Sequence, residues 1–192
     1  MRDVDPICDI IERITTLFRN EVRLAGLEYG LHPVHLEVLY YLSRCNQLSD
    51  TPAAVTEFLG ITKGTTSQSI TLLEKKGFLT KEKDPVDRRI THLLLSKQGL
   101  AISQQAIPPA SIRRGIDKLG DAQDTLKTQL EALLRDIQKS NNCASFGLCK
   151  TCRFHKPYSD QEFFCDLTKM TLNISGGDLI CREHSEPSKD TL

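Results

Sequence analysis

The sequence predicts a mainly α fold with a small β-wing, followed by a small cysteine-rich module. Three observations predict it. Apolar residues recur at helical spacing through most of the chain. Between Thr62 and Ser96 a capped polar helix runs into two short alternating segments joined by the charged turn Asp84-Pro85-Val86-Asp87-Arg88-Arg89. Five of the seven cysteines fall within the last 52 of 192 residues.

In chain order, Asp5-Pro6 opens a helix in which Ile7, Ile10, Ile11, Ile14, Leu17 and Phe18 recur at helical spacing. His32-Pro33 opens a second, carrying Leu36, Leu39 and Leu42. Thr51-Pro52 reads as an N-cap with proline at the first helical position, where its missing N–H costs nothing. The short helix that follows carries Val55, Phe58 and Leu59 as one buried stripe and stops at Gly60. Thr62 caps the next helix. Ile70 and Leu73 share its core face, while Lys63, Thr65, Thr66, Ser67, Gln68 and Ser69 crowd its first two turns with groups that can bond base edges and phosphates. That helix ends at Gly77, and residues 78–83 and 90–95 form the arms of a hairpin.

Ser96 caps a further helix over residues 97–107, which Pro108-Pro109 must kink or interrupt. Helix resumes over 111–119. The last helix starts at Gly120-Asp121 and aligns Leu126, Leu130, Leu133, Leu134 and Ile137 on one face. Packing on the chain's own core and a subunit interface are both open to that face.

The order helix, polar helix, basic hairpin is that of a winged helix-turn-helix reading duplex DNA. From Lys63 to His92 seven Lys or Arg stand against four acids, whereas the whole chain balances at 25 and 25. Positive charge is thus concentrated on the segment that would face phosphates. The candidate DNA contacts are Thr62, Lys63, Thr65, Thr66, Ser67, Gln68, Ser69, Lys81, Lys83, Arg88 and Arg89.

No apolar run reaches the about 20 residues that span a bilayer, so no membrane partner is expected. The acidic start lacks a signal-peptide core, and a cytoplasmic location is the expectation. Thiols stay reduced there, so the cysteines suggest metal or redox chemistry rather than a disulfide scaffold.

The segments Thr51-Pro52-Ala53, Gly60-Ile61-Thr62-Lys63-Gly64-Thr65-Thr66, Leu72-Leu73-Glu74-Lys75-Lys76-Gly77-Phe78-Leu79, the wing turn from Asp84 to Arg89, and Leu94-Leu95-Ser96-Lys97-Gln98-Gly99 resemble the MarR family of bacterial transcriptional regulators. The aspartate-arginine wing turn is the most specific of them. The resemblance covers about three quarters of the chain, to residue 140 or so. It implies a homodimer built from the first and last helices, recognition helices in successive major grooves of double-stranded DNA, and wings in the flanking minor grooves. It also implies that wing acids pair with wing arginines, so that one of Arg88 and Arg89 shapes the tip and the other enters the groove. The sequence leaves open which.

The chain therefore divides into residues 1–140, a winged-helix DNA-binding and dimerisation domain, and residues 141–192, a cysteine-rich tail. Cys149, Cys152, Cys165 and Cys181 give the spacing C-x2-C-x12-C-x15-C, a possible four-thiolate set for a metal. Cys143, His155 and His184 are alternative ligands. Glu162 to Leu167 reads as a short strand and Ser175-Gly176-Gly177-Asp178 as a tight turn. A tail of this size needs a staple, which a metal could supply. Zinc is slightly favoured on general frequency, with an iron–sulfur cluster as the alternative. A tail of this kind departs from the usual family pattern and sets ordinary phenolic-ligand sensing aside; the effector is open.

Cys8 lies where some family members carry a peroxide-sensing cysteine, but Asp5 and Asp9 flank it instead of a cation, so it reads as buried or inert. His32, His35 and His92 read as a helix-start, a surface and a wing-strand residue. The leading expectation is a DNA-binding regulator, a repressor, controlled through the tail. The alternative is a metal-dependent interaction adaptor that uses the winged helix as a scaffold. An enzyme is the weakest option, because Cys149-Lys150-Thr151-Cys152 follows a loop and not the strand of a thioredoxin-like unit.

Overall fold

The computed structural model describes residues 5–187. Seven α-helices and two small antiparallel sheets occur among them. Helix α1 (Pro6–Leu27) is capped by Asp5, whose carboxylate accepts the Ile7 N–H at 2.8 Å. Helix α2 (Pro33–Leu42) follows the turn through Gly30, and α3 (Pro52–Leu59) is capped by the Thr51 hydroxyl. Gly60 closes α3 in the left-handed conformation at φ +62°, which a side chain would strain. Helix α4 (Lys63–Lys75) is capped by Thr62, which accepts the Thr65 N–H at 3.1 Å.

Strands β1 (Leu79–Lys83) and β2 (Thr91–Leu95) pair antiparallel, from Leu79 opposite Leu95 to Lys83 opposite Thr91. Helix α5 (Lys97–Ala106) starts at Ser96 and lies so close to the root of β1 that a Cβ on Gly99 would meet the Phe78 carbonyl oxygen at 2.0 Å. Only glycine fits there. The proline pair separates α5 from α6 (Ala110–Asp117), and a turn through Gly120 leads from α6 into α7 (Ala122–Ser140).

The core of the helical part gathers Val22, Leu36, Val38, Leu39, Val55, Ile70, Leu73, Leu79, Leu93 and Ile102, all nearly inaccessible to solvent. Each such side chain contributes about 1.5–3 kcal/mol when fully buried. Phe58 departs from the expected buried stripe. It is 39% exposed, because α3 turns it outward, and it is flanked by Tyr41 and by Phe146 from the tail. His35 also differs from the surface position expected of it: it is buried, and its Nδ1 accepts the His32 N–H at 3.0 Å.

Helices α1 and α7 leave their apolar faces uncovered in the single chain. Ile7, Ile10 and Ile14 on one, and Leu130, Leu134 and Ile137 on the other, are all exposed. Cys8 stands on the same uncovered helix and is exposed, not buried. No helix of the described residues is long and apolar enough to cross a membrane.

After α7 the tail forms the strands β3 (His155–Pro157), β4 (Glu162–Cys165) and β5 (Met170–Asn173), paired antiparallel in that order. The expected turn at 175–178 is part of a 3-10 helix, Ile174–Asp178. Phe163, with Cys149 and Cys181, makes a small separate core. Residues on either side of it reach back, and Phe146, Leu148 and Ile180 join the main core.

Candidate nucleic-acid interface and thiol centre

Helix α4 presents its N-terminal half outward between α3 and the wing. Thr62, Lys63, Ser67 and Gln68 are exposed and Thr65 is half-buried. Thr66 and Ser69 turn inward and are each 2% exposed, which corrects their place among the outward-facing groups. The reason is helical phase: both lie on the turn side that carries Ile70 and Leu73. Thr66 Oγ1 instead lies 2.8 Å from Thr56 Oγ1, fastening α4 to α3.

The wing tip is built by its own acids. Asp84 accepts the N–H groups of Val86 and Asp87 at 2.8 and 2.7 Å. Asp87 holds the Arg89 guanidinium bidentately, Nε at 2.9 Å and a terminal nitrogen at 2.7 Å. Arg88 is exposed and makes no hydrogen bond or ion pair among the described residues. Lys81 pairs with Glu74 of α4 at 2.6 Å, and Lys83 Nζ donates to Thr91 Oγ1 at 2.9 Å. Only Lys63 and Arg88 among the basic candidates thus carry no such partner among the described residues.

The sequence pattern did not reveal what holds the wing to the helices. His92 of β2 lies between Asp50, before α3, and Asp84 of the tip. The bond to Asp50 raises its pKa, with Asp84 adding to the effect and burial opposing it. The Leu93 N–H donates to the Asp50 carbonyl at 2.8 Å beside it. Spacing could not mark this cluster, since its members come from three separate segments.

In the tail, Cys149, Cys152, Cys165 and Cys181 all line one small cavity of about 20 Å³, together with His155, Phe163 and Thr168. Among the described residues no three His, Cys, Asp or Glu side chains stand as a ready ligand group for a metal ion. The four thiols therefore share a lining without converging on one point. Their surroundings nevertheless suit thiolates. Asn46 Nδ2 donates to Cys149 Sγ at 3.1 Å, and the Ser185 N–H to Cys152 Sγ at 3.4 Å. Cys181 is pushed below the ordinary thiol value by a bond from Cys149, with Asn46, the Glu183 N–H and Ser49 also favouring its thiolate against burial. Cys149 is pushed up by that same bond, by burial and by the Cys181 charge.

The alternative ligands separate clearly. Cys143 is exposed, its thiol 3.7 Å from the Asn141 carbonyl, and does not line the cavity. Both ring nitrogens of His184 are engaged, Nδ1 by Ser145 at 2.7 Å and Nε2 by Thr151 at 3.0 Å. His155 stacks on Phe163 and its buried Nδ1 has no partner among the described residues, as is also true of Thr168 Oγ1. Burial lowers the His155 pKa and favours its neutral ring. Four soft thiols, a neutral imidazole and N–H donors aimed at sulfur are donor types that zinc or an iron–sulfur cluster takes, but they do not stand gathered as a ligand group among the described residues. Cys45 lies apart, buried, with its thiol pushed up to about 12 by burial.

The helix-turn-helix with its wing, on this geometry, invites comparison with known regulators. Residues 29–90 match the model of the MarR family. The fold is also similar to solved structures. A MarR family regulator of Listeria monocytogenes complexed with a 26mer DNA is 17% identical at a TM-score of 0.57, with 73% of this chain and 92% of that one covered. A MarR regulator of Methanosarcina mazei Go1 is 20% identical at 0.56, over 69% and 96%. CouR of Rhodococcus jostii RHA1, bound to p-coumaroyl-CoA, is 22% identical at 0.55, over 69% and 92%. No curated protein matches significantly. The MarR-like fold thus accounts for nearly the whole of those chains and leaves part of this one without a counterpart in them.

Proposed function

We propose that this protein is a homodimeric, sequence-specific DNA-binding transcriptional repressor whose occupancy of DNA is controlled through its cysteine tail. The observation that carries the reading is the pairing of an exposed hydroxyl- and amide-rich start of α4 with a wing whose tip is pre-shaped by Asp84 and Asp87 and leaves Arg88 free of partners among the described residues. The MarR match over residues 29–90 and the 26mer DNA held by the Listeria monocytogenes regulator support it. Lys63, Thr65, Ser67 and Gln68 read the major groove, and Arg88 enters the minor groove while Arg89 holds the tip. The uncovered faces of α1 and α7 supply the subunit contact.

In the tail, Cys149, Cys152, Cys165 and Cys181 hold the metal centre, with the Asn46 and Ser185 N–H groups stabilising the thiolates. Zinc is slightly favoured; it would supply a silent structural staple, whereas an iron–sulfur cluster would supply sensitivity to oxidants. Anaerobic purification with an absorption spectrum and elemental analysis distinguishes the two. DNA binding is tested by titration on duplex from the gene's own upstream region across salt concentrations. Affinity that falls steeply with salt is expected, and salt-insensitive binding would defeat the reading.

A further inference from the structure

The tail is fastened to the DNA-reading helices at the two thiols that lie deepest. Cys181 sits between Ile180 and Arg182. The Ile180 N–H donates to the Arg44 carbonyl at 2.8 Å, and its carbonyl accepts the Asn46 N–H at 2.9 Å, so Ile180 forms a single β-bridge with Cys45 in the turn between α2 and α3. The Arg182 N–H donates to Ser49 Oγ at 2.9 Å, and its Nε reaches Glu57 of α3 at 2.6 Å. The second deep thiol, Cys149, receives Asn46 Nδ2 from that same turn.

On its other side the tail grips α7. Glu186 pairs with Lys139 at 2.9 Å, and Gln138 Nε2 donates to the Ser145 carbonyl at 3.1 Å. Arg182 also lines, with Lys63, Thr66 and Ser67 of α4, an open cleft of about 590 Å³. The sulfur cavity is therefore bonded at one end to α3 and at the other to a helix with an uncovered apolar face.

We infer that residues 180–182 and the turn 44–49 couple occupancy of the thiol centre to the placement of α3 and α4, with Arg182 and Asn46 as positioning residues. The inference rests on the reading of the four cysteines as a metal centre. Loading draws four thiols that merely share a cavity onto one ion. Cys181 and Cys149 cannot shift without carrying Arg182 and Asn46, because their partners are adjacent in the chain or bonded directly to sulfur. Contiguous hydrogen bonds of this kind can bias a helix pair between two placements. The Arg182–Glu57 contact already stands while the thiols are apart, and loading, by fixing Cys181, tightens that hold on α3.

The test uses full-length protein, purified anaerobically or stripped with a chelator, and a duplex selected from a random pool by the purified protein. Loaded wild type should bind about tenfold more tightly than stripped wild type. Arg182→Gln and Glu57→Gln, which change local charge in opposite directions, should both keep wild-type metal per chain and shrink the ratio to less than about threefold. Amide exchange over 52–59 should slow on loading in wild type and not in either variant. A variant that keeps the full wild-type ratio, or loaded wild type no tighter than stripped, overturns the coupling while leaving the metal centre standing. Wild type without metal overturns both, and elemental analysis alone reveals it.

Discussion

His92 Nδ1 lies 2.5 Å from Asp50 Oδ1 while its Nε2 lies 3.2 Å from Asp84 Oδ2, so one imidazole ties the wing tip to the start of α3. Asp50 is itself raised, because burial outweighs its bond to His92. Asp84 is lowered, first by the Asp87 N–H and then by His92. A raised histidine contributes stability that is complete below its ordinary value of 6.5 and is lost as pH rises through the folded value. The Asp84 contribution is present above 3.8 and is lost as pH falls through its lowered value. Amide exchange of residues 84–91 should therefore be slowest in the mildly acidic range and quicken above pH about 6.5 beyond its intrinsic rate. His92→Gln should flatten that rise; equal pH dependence in both proteins would remove His92 from the clamp.

The two wing arginines should respond differently. Arg88→Ala removes a charge with no partner among the described residues, so DNA affinity should fall and the salt slope should lose about one unit. Asp87→Ala deletes the carboxylate that holds Arg89 at 2.7 Å. It should quicken amide exchange at the tip and weaken binding although it removes a negative charge. Tighter binding in Asp87→Ala would mean that the acid merely repels phosphate.

What could be read in advance follows the range of the interactions. The caps at Thr51, Thr62 and Ser96 bond N–H groups three residues on, so short motifs reveal them. The hairpin register follows from alternation beside an Asp-Pro turn. The inward turn of Thr66 and Ser69 was hidden because the first two turns of α4 are polar all round, and polarity cannot set a helix's phase. The contacts of Asn46 with Cys149 and Arg182 with Glu57 span 103 and 125 residues. No local pattern marks such pairs, and the lone asparagine beside Cys45 gave no signal.

Phe163 is the packing centre of the tail, 1% exposed and stacked on His155 at 4.3 Å. Phe163→Ala should cost about 3–5 kcal/mol, more than so small a core can lose. Exchange over 162–173 should then approach the unfolded rate while 36–42 in α2 stays protected. Metal content should fall with it. Loss of protection throughout α2 would show that the tail and the helical core unfold as one unit.

The uncovered faces of α1 and α7 give the last prediction. Leu130 and Leu134 are 49% and 54% exposed on a helix whose opposite side is charged. A contiguous apolar surface of this kind is rare on a monomer and common where a second copy docks. Leu130→Glu with Leu134→Glu would bury a carboxylate pair in each subunit contact, at a cost that exceeds what either leucine contributes. Light scattering should report the mass of one chain instead of two. Binding to a two-half-site duplex should weaken by about 10²- to 10⁴-fold, since two linked heads gain that much from effective concentration, while binding to a single half-site changes little. A variant that retains the mass of two chains would place the subunit contact on another face.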